Sequence, residues 1–397
     1  MTYDFDKIVD RSCSHSVKFE SKLCNQISEE AIPMWIADMD FEVAPPIAEA
    51  IRKRADHAVF GYSKCSAEYF ESVVNWMRDR HNWTITSEWI ATAPGVVPAL
   101  NFAVRAFLNS GDKVIIQQPV YYPFMRVVES NGFEYVNNEL EFKHDRYEIN
   151  FEDFEHKARD PRTKMFILCN PHNPIGRVWS KEELSRLANI CLANDVLIIS
   201  DEIHHDLVFP SRGIKHIPMA SLSSAISKRT ITCTAPNKSF NIAGLQSANI
   251  IIEDPILRQG FVDEINKTGV GSFNPFALVA AEAGYREGGD WLDAAIDYIE
   301  GNKQYVMKFV EEKLPNIRVL DSEATFLLWI DFRDLGLDQW ELQQFLRHKA
   351  LVWLDSGFVF GESGSGFERM NIACSRHIVE EAMNRIERAV KSRMVIS

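Results

Sequence analysis

The sequence predicts an α/β protein with a large domain on a mainly parallel central sheet and a smaller α+β C-terminal domain. Three observations predict it. Between about Trp89 and Ala248, short apolar runs alternate with longer amphipathic stretches. The runs are continuous rather than alternating, as in Val196-Leu-Ile-Ile-Ser200, which is the pattern of strands buried on both faces. After Asn274-Pro275 the pattern changes to long helical periodicity with two isolated apolar runs.

The first fifty residues have no long periodic segment, and Ala44-Pro45-Pro46 breaks the chain before a helix beginning near Ile47. This opening is expected to pack across both domains. Strands are expected at Trp89 to Ala93, Lys113 to Gln117, Lys164 to Cys169, Val196 to Ser200, Thr230 to Cys233 and Ala248 to Ile252. Helices are expected at Val97 to Leu108, ended by Asn-Ser-Gly, and at Lys181 to Asn194, where Ser180 and Glu183 form a capping box. A long helix from Pro275 through Phe309 then leads to strands at Ile317-Arg-Val-Leu and Phe326-Leu-Leu-Trp-Ile-Asp, and a last helix runs from Glu380 to Ser392. Gly361 to Gly366 reads as a flexible loop. The expected division is an N-terminal segment (1–46) packing with the small domain, a large domain (47–285) and a small domain (286–397).

Composition narrows the function. The chain has 397 residues, 46% hydrophobic and 25% charged, enough for two domains. With 43 basic and 56 acidic residues its net charge is −13, which argues against a nucleic-acid footprint and for small-molecule chemistry. No apolar run reaches bilayer length, and the opening Met-Thr-Tyr-Asp-Phe-Asp-Lys lacks a secretory pattern, so a cytoplasmic protein without membrane contact is expected. Seven cysteines (Cys13, Cys24, Cys65, Cys169, Cys191, Cys233, Cys374) form no CxxC pair and are odd in number, so neither a disulfide framework nor a zinc site is indicated.

Three polar residues stand just beyond predicted strands. Asn173 lies in Phe-Ile-Leu-Cys-Asn-Pro-His-Asn-Pro-Ile-Gly, Asp201 ends Val-Leu-Ile-Ile-Ser-Asp, and Lys238 lies in Thr-Ala-Pro-Asn-Lys-Ser-Phe-Asn-Ile-Ala-Gly, from Thr234 to Gly244. Strand exits at one sheet edge are where α/β enzymes bind ligands. A lysine there is a Schiff-base candidate, a buried carboxylate can pair with a protonated heteroaromatic nitrogen, and an amide can donate to a ring oxygen. Plainer roles stay open: a solvated surface lysine, a helix N-cap, an Asn-Pro turn.

Other residues complete the candidate site. Ala93-Pro94-Gly95-Val96-Val97 opens a helix whose free N–H groups suit a phosphate, and Thr234 offers a hydroxyl. Tyr121 and Tyr122 follow another strand and suit either stacking on a planar cofactor or a half-buried turn. Arg369 suits bidentate grip of a substrate carboxylate or an exposed surface. His204-His205 does not read as a metal site, because adjacent residues diverge and no third ligand is spaced for them.

Together these motifs resemble the fold-type I pyridoxal-phosphate enzymes, and within them the MalY/PatB family of carbon–sulfur β-lyases, which includes cystathionine β-lyases and cystalysin. The general motifs are Asn170 to Gly176, Ser200 to His204, the Lys238 loop and Arg369; the sharper ones are Pro-Met-Trp-Ile-Ala-Asp-Met-Asp-Phe (33–41) and Phe-Gly-Tyr-Ser (60–63). The resemblance spans residue 33 to about 376. It implies that Lys238 holds the cofactor covalently, Asp201 pairs with the pyridine nitrogen, Asn173 contacts the ring oxygen and Tyr121 stacks on the ring. It further implies that Arg369 binds the substrate α-carboxylate, with Tyr122 and Ala37 beside it, and that Tyr62 reaches the cofactor phosphate of a neighbouring subunit in a homodimer. Aminotransferase relatives carry Tyr where this chain has His204, a hydroxyl residue where it has Ala235, and Arg where it has Gln246; His204 is usual in the lyase branch.

The leading expectation is α,β-elimination on an L-cysteine S-conjugate such as cystathionine, giving a thiol, pyruvate and ammonia. Lys238 is the expected general base, assisted by Tyr121 and Tyr122. An aminotransferase using the same residues is the alternative. A regulatory binding protein that keeps the cofactor fold is a third possibility from another class.

Overall fold

The computed structural model describes residues 3–11, 14–24, 27–271 and 273–394, apart from the side chains of 21–24 and 394. Cys13 and the side chain of Cys24 therefore lie outside the described residues. Seven strands make the larger sheet: β1 (Ile90–Ala93), β2 (Lys113–Ile116), β3 (Glu134–Asn137), β4 (Thr163–Cys169), β5 (Leu197–Asp201), β6 (Thr230–Thr234) and β7 (Ala248–Ile251). Their spatial order is β1-β7-β6-β5-β4-β2-β3. All neighbours are parallel except β7, which runs antiparallel to β1 and β6.

The register explains the continuous apolar runs. Met165, Ile167, Leu197 and Ile199 enter the core on one face of the sheet, whereas Phe166, Leu168 and Ile198 enter the core on the other. Both faces are covered, so alternation with polar residues is not needed. The edge strand β3, Glu-Tyr-Val-Asn, is partly exposed and was missed by the sequence pattern for that reason.

Helices follow their terminal signals. α1 (Pro45–Asp56) begins with two prolines, α2 (Ala67–His81) is capped by Ser66, and α3 (Val96–Phe107) starts at Gly95. α4 (Lys181–Ala193) has both halves of the Ser180–Glu183 capping box; such a cap is worth about 1 kcal/mol. α5 is the single turn Pro236–Ser239. The long helix expected over Pro275 to Phe309 is instead two helices, α6 (Pro275–Glu287) and α7 (Gly289–Lys313), which meet at Gly288. There the Phe240 ring presses so close that a Cβ on Gly288 would sit 2.7 Å from it.

The second sheet has four antiparallel strands, β8 (Arg318–Val319), β9 (Leu327–Asp331), β10 (Asp355–Ser356) and β11 (Phe367–Asn371), in the order β8-β9-β11-β10. Two strands were expected here. β10 is only two residues long, and β11, Phe-Glu-Arg-Met-Asn, buries charged side chains that hide a strand pattern. The last helix, α8 (Arg376–Met394), starts four residues earlier than expected. Gly361 to Gly366 is packed rather than loose: Val120 N–H donates to Phe360 O at 2.9 Å, and Gly361 lies against the Gln118 side chain.

The N-terminal segment touches both halves. Ile32–Pro33 pairs in parallel with Val352–Trp353, and Met34 O accepts from Asn371 N at 2.8 Å. On the other side, Met39 N–H donates to Asn241 Oδ1 at 3.0 Å. Among the described residues, Cys65, Cys169, Cys191, Cys233 and Cys374 are free thiols, and no helix is long and apolar enough to cross a membrane.

Candidate active site

Because β1, β2, β4, β5 and β6 point the same way, their exits share one edge of the larger sheet. Gly95 follows β1, Tyr121 and Tyr122 follow β2, Asn173 follows β4, Asp201 ends β5 and Lys238 sits on α5 after β6. Asn173 is buried in a tight turn closed by the His172–Arg177 bridge.

Asp201 lies between Cys169 and Cys233 in register, buried. Burial pushes its carboxyl up to about 7, against the N–H of Ile203 and the nearby Lys238 amine, which lower it. Lys238 shifts the opposite way. Desolvation brings its amine down to about 8; Arg369 also lowers it, while Asp38 and Asp201 oppose the shift. Its Nζ donates to Ala37 O at 2.5 Å, so the N-terminal strap lies directly over the lysine. His204 is buried, and desolvation together with Lys238 and Arg369 keeps its ring neutral, well below its usual range.

Arg369, on β11, is buried rather than on the surface. Its Nη1 donates to Asn173 Oδ1 at 2.9 Å, and its Nη2 donates to Trp35 O at 2.9 Å and to Asp355 Oδ2 at 2.6 Å. Arg369 thus holds the carbonyl end of the Asn173 amide. The Tyr121 and Tyr122 rings stand 5.6 Å apart at 49°. Both hydroxyls are raised by burial, and each is coupled to Arg369 and Asp355. Lys238, Asp201, Asn173, His204, Arg369, Tyr121, Tyr122 and Ala37 thus converge on one cleft.

Thr234, Gln246 and Tyr62 have other surroundings. The Thr234 hydroxyl donates to Asn249 O at 3.1 Å, within the sheet, so its proton is already used. Gln246 closes a short helical turn in the left-handed conformation. Tyr62 is on the exposed segment between α1 and α2, at 112% relative exposure. Gly95 is extended, and the Val96 and Val97 N–H groups begin α3 without intrahelical partners.

The residues fit pyridoxal phosphate on their own geometry. His204 Nδ1 is buried without a hydrogen-bond partner, next to the Lys238 amine. The buried Asp201 carboxylate, with its raised pKa, has the Lys238 amine nearby but no direct ion pair among the described residues. A ring with a phenolate oxygen and a protonated nitrogen supplies both partners.

The loops Ala37-Asp38-Met39 and Trp353 to Phe360 are expected to wall the substrate pocket, but two groups of residues have roles that the sequence does not assign. Asp38 lies in the 33–41 motif, and Asp355 lies just before the Gly357 turn; in both cases a carboxylate in an apolar stretch was the available signal. Asp38 accepts from Arg11 at 2.7 Å, and Lys18 and Arg11 both hold Asp40. The second group surrounds Asp206. It accepts from Trp76 Nε1 at 3.0 Å, His81 Nε2 at 2.7 Å and Ser239 Oγ at 2.5 Å, with His205 Nε2 at 3.2 Å and Arg80 Nε at 3.4 Å. His204 and His205 do diverge, but α2 supplies the third candidate ligand that sequence spacing failed to find, since His81, His205 and Asp206 place their ligand atoms within 4.8 Å of one another. Three hydrogen-bond donors and two ion-pair contacts already surround Asp206, so it serves as an anchor for α5 rather than a free ligand.

The chain matches the family model for aminotransferase class I and II over residues 30–386. It is 43% identical to the cystathionine beta-lyase PatB of Bacillus subtilis, covering 98% of this chain and 100% of that protein. It is 31% identical to the MalY protein of Escherichia coli, covering 98% and 99%. Among solved structures, cystalysin from Treponema denticola, which contains pyridoxal 5'-phosphate, superposes with a TM-score of 0.96 at 39% identity, covering 99% and 100%.

Proposed function

The chain belongs to the aminotransferase class I and II family, and from that premise we propose that it is a pyridoxal-phosphate-dependent carbon–sulfur β-lyase. Its substrates are L-cysteine S-conjugates such as cystathionine, and its products are a thiol, pyruvate and ammonia. The observation that carries this reading is the cleft in which Lys238, Asp201, His204 and Arg369 act on one another's charge. Relatives named as cystathionine β-lyases support the lyase branch.

Bound pyridoxal phosphate supplies an electron sink for the pair left at Cα when its proton departs. The chain supplies the rest. Lys238 would hold the cofactor and, as a neutral amine, would take the Cα proton. Asp201 would keep a proton on the ring nitrogen. Asn173 and His204 would address the ring oxygen, Tyr121 would give a stacking face, and the Val96 and Val97 N–H groups at the start of α3 would hold the phosphate. Thr234 adds a lone pair but not a proton. Arg369 holds the substrate α-carboxylate, with Tyr122 and Ala37 bordering it. The β C–S bond would then break with its electron pair leaving on sulfur, which takes up a proton, and water would convert the remaining three-carbon fragment to pyruvate and ammonia.

In this reading residues 47–285 carry the cofactor, residues 286–397 carry Arg369, and residues 1–46 pack with the latter and strap over Lys238. The active form is a homodimer. Tyr62, with exposed Val59 and Phe60 beside it, reaches the partner's phosphate site. The free thiols suit a reducing cytoplasm.

The test is to incubate the purified holoenzyme with cystathionine and no keto acid, and to assay pyruvate and free thiol. Stoichiometric release of both is expected. Amino transfer that requires a keto acid, without pyruvate release, would overturn the lyase reading in favour of an aminotransferase.

A further inference from the structure

Arg369 has five N–H hydrogens in a planar fork. A carboxylate grips that fork through one of two edges, Nε with Nη2 or Nη1 with Nη2, and each edge needs a hydrogen of Nη2. Both Nη2 hydrogens are taken, one by Trp35 O and one by Asp355 Oδ2. Nε is buried without a hydrogen-bond partner.

The two acceptors are not equivalent. The carbonyl of Trp35 is part of a fixed strap, held by Met34 N–H to Trp353 O at 2.8 Å and Asn371 Nδ2 to Ile36 O at 2.7 Å. Asp355 is a side chain that can rotate, and it lies directly opposite Arg369 in the β10–β11 register.

We propose that Asp355 is an internal stand-in for the substrate α-carboxylate, bound to Arg369 until a substrate displaces it. The proposal rests on Arg369 being the carboxylate anchor. Bidentate binding frees Asp355 from Nη2 and fills the empty Nε hydrogen. The displaced carboxylate has a second cation to face, Arg347, from the 345–350 turn. Its other charged or titratable neighbours are Glu368, Tyr121 and Tyr122. Only a ligand whose own anion outcompetes Asp355 gains the fork, so esters and amides of the same amino acids are rejected.

The test uses the holoenzyme and propanoate, a carboxylate with neither amine nor sulfur. Binding is followed by tryptophan fluorescence, because Trp35 and Trp353 stack 4.6 Å apart beside this pair. Removing an internal competitor should tighten propanoate binding by about tenfold in D355N, since the competent state no longer has to be freed. The KM for cystathionine should fall by a similar factor, with a smaller change in kcat. Propanoate binding that is unchanged or weaker in D355N, with native circular dichroism, overturns the proposal. D355S is measured in the same way if D355N does not fold. Propanoate needs no turnover, so a failure to release pyruvate from cystathionine overturns the lyase reading alone.

Discussion

Arg369 Nη1 donates to Asn173 Oδ1 at 2.9 Å, joining residues 196 positions apart. The bond ties the smaller sheet to an exit of the larger one. It also fixes two things at once: the guanidinium plane of Arg369 and the orientation of the Asn173 amide. Each residue is therefore held by the other.

Shortening or simplifying this pair should act on substrate binding. R369K lacks the fork, and R369A leaves Asn173 and Asp355 without their cation. Truncating one member of a buried charged pair costs about 2–5 kcal/mol, so R369A should raise the KM for cystathionine by about 10²-fold or more. Steady-state kinetics check it, with R369K between R369A and the parent.

Lys238, as the proposed base, should set the pH limb of the reaction. Its amine is brought down to about 8 by desolvation. A base works in its neutral form, so turnover should rise with pH toward that value. K238A should remove both turnover and the visible absorbance of the bound cofactor, as measured by assay and spectrum on the same sample.

His172 makes the fold sensitive to acid. Its ring is buried, Nε2 donates to Pro119 O at 2.9 Å, and burial brings its pKa down to about 4. The unfolded chain takes up a proton near pH 6.5 and the folded chain does not, so this contribution is present above pH 6.5 and lost as pH falls toward 4. The loss should be on the order of 3 kcal/mol at pH 4. Urea midpoints at pH 5 and pH 7 should differ less in His172→Gln than in the parent.

Glu368 has the opposite sign. Burial, with Asp355 nearby, raises its carboxyl to about 8. The folded chain keeps a proton that the unfolded chain loses near pH 4, so stability declines as pH rises through that window. Glu368→Gln should raise the melting temperature at pH 8.5, with a gain on the order of 4 kcal/mol, and do little at pH 5.

Tyr62 tests the shared site. With its side chain exposed, Y62A should leave the subunit fold unchanged yet weaken cofactor retention. In randomly mixed K238A and Y62A subunits, half the dimers contain one intact site, so activity should recover to about a quarter of the parent. Two inactive variants that stay inactive when mixed would show that each site is built from one chain.

Much of this protein was legible in its sequence. Strands buried on both faces wrote continuous apolar runs, and the Ser180 box and the paired prolines wrote helix starts, because these signals are local. Lys238, Asp201 and Asn173 each follow such a run, so their meeting at one edge followed from parallel strand direction. The polar β11 and the helix break at Gly288 were hidden, since one depends on burial and the other on the Phe240 ring from another segment. Sequence determined which residues have the chemistry. Only the tertiary structure decided their states: desolvation moved Lys238 and Asp201 toward neutrality, and strand pairing laid Asp355 opposite the arginine. Those effects come from through-space charge and lost water, which no spacing along the chain records.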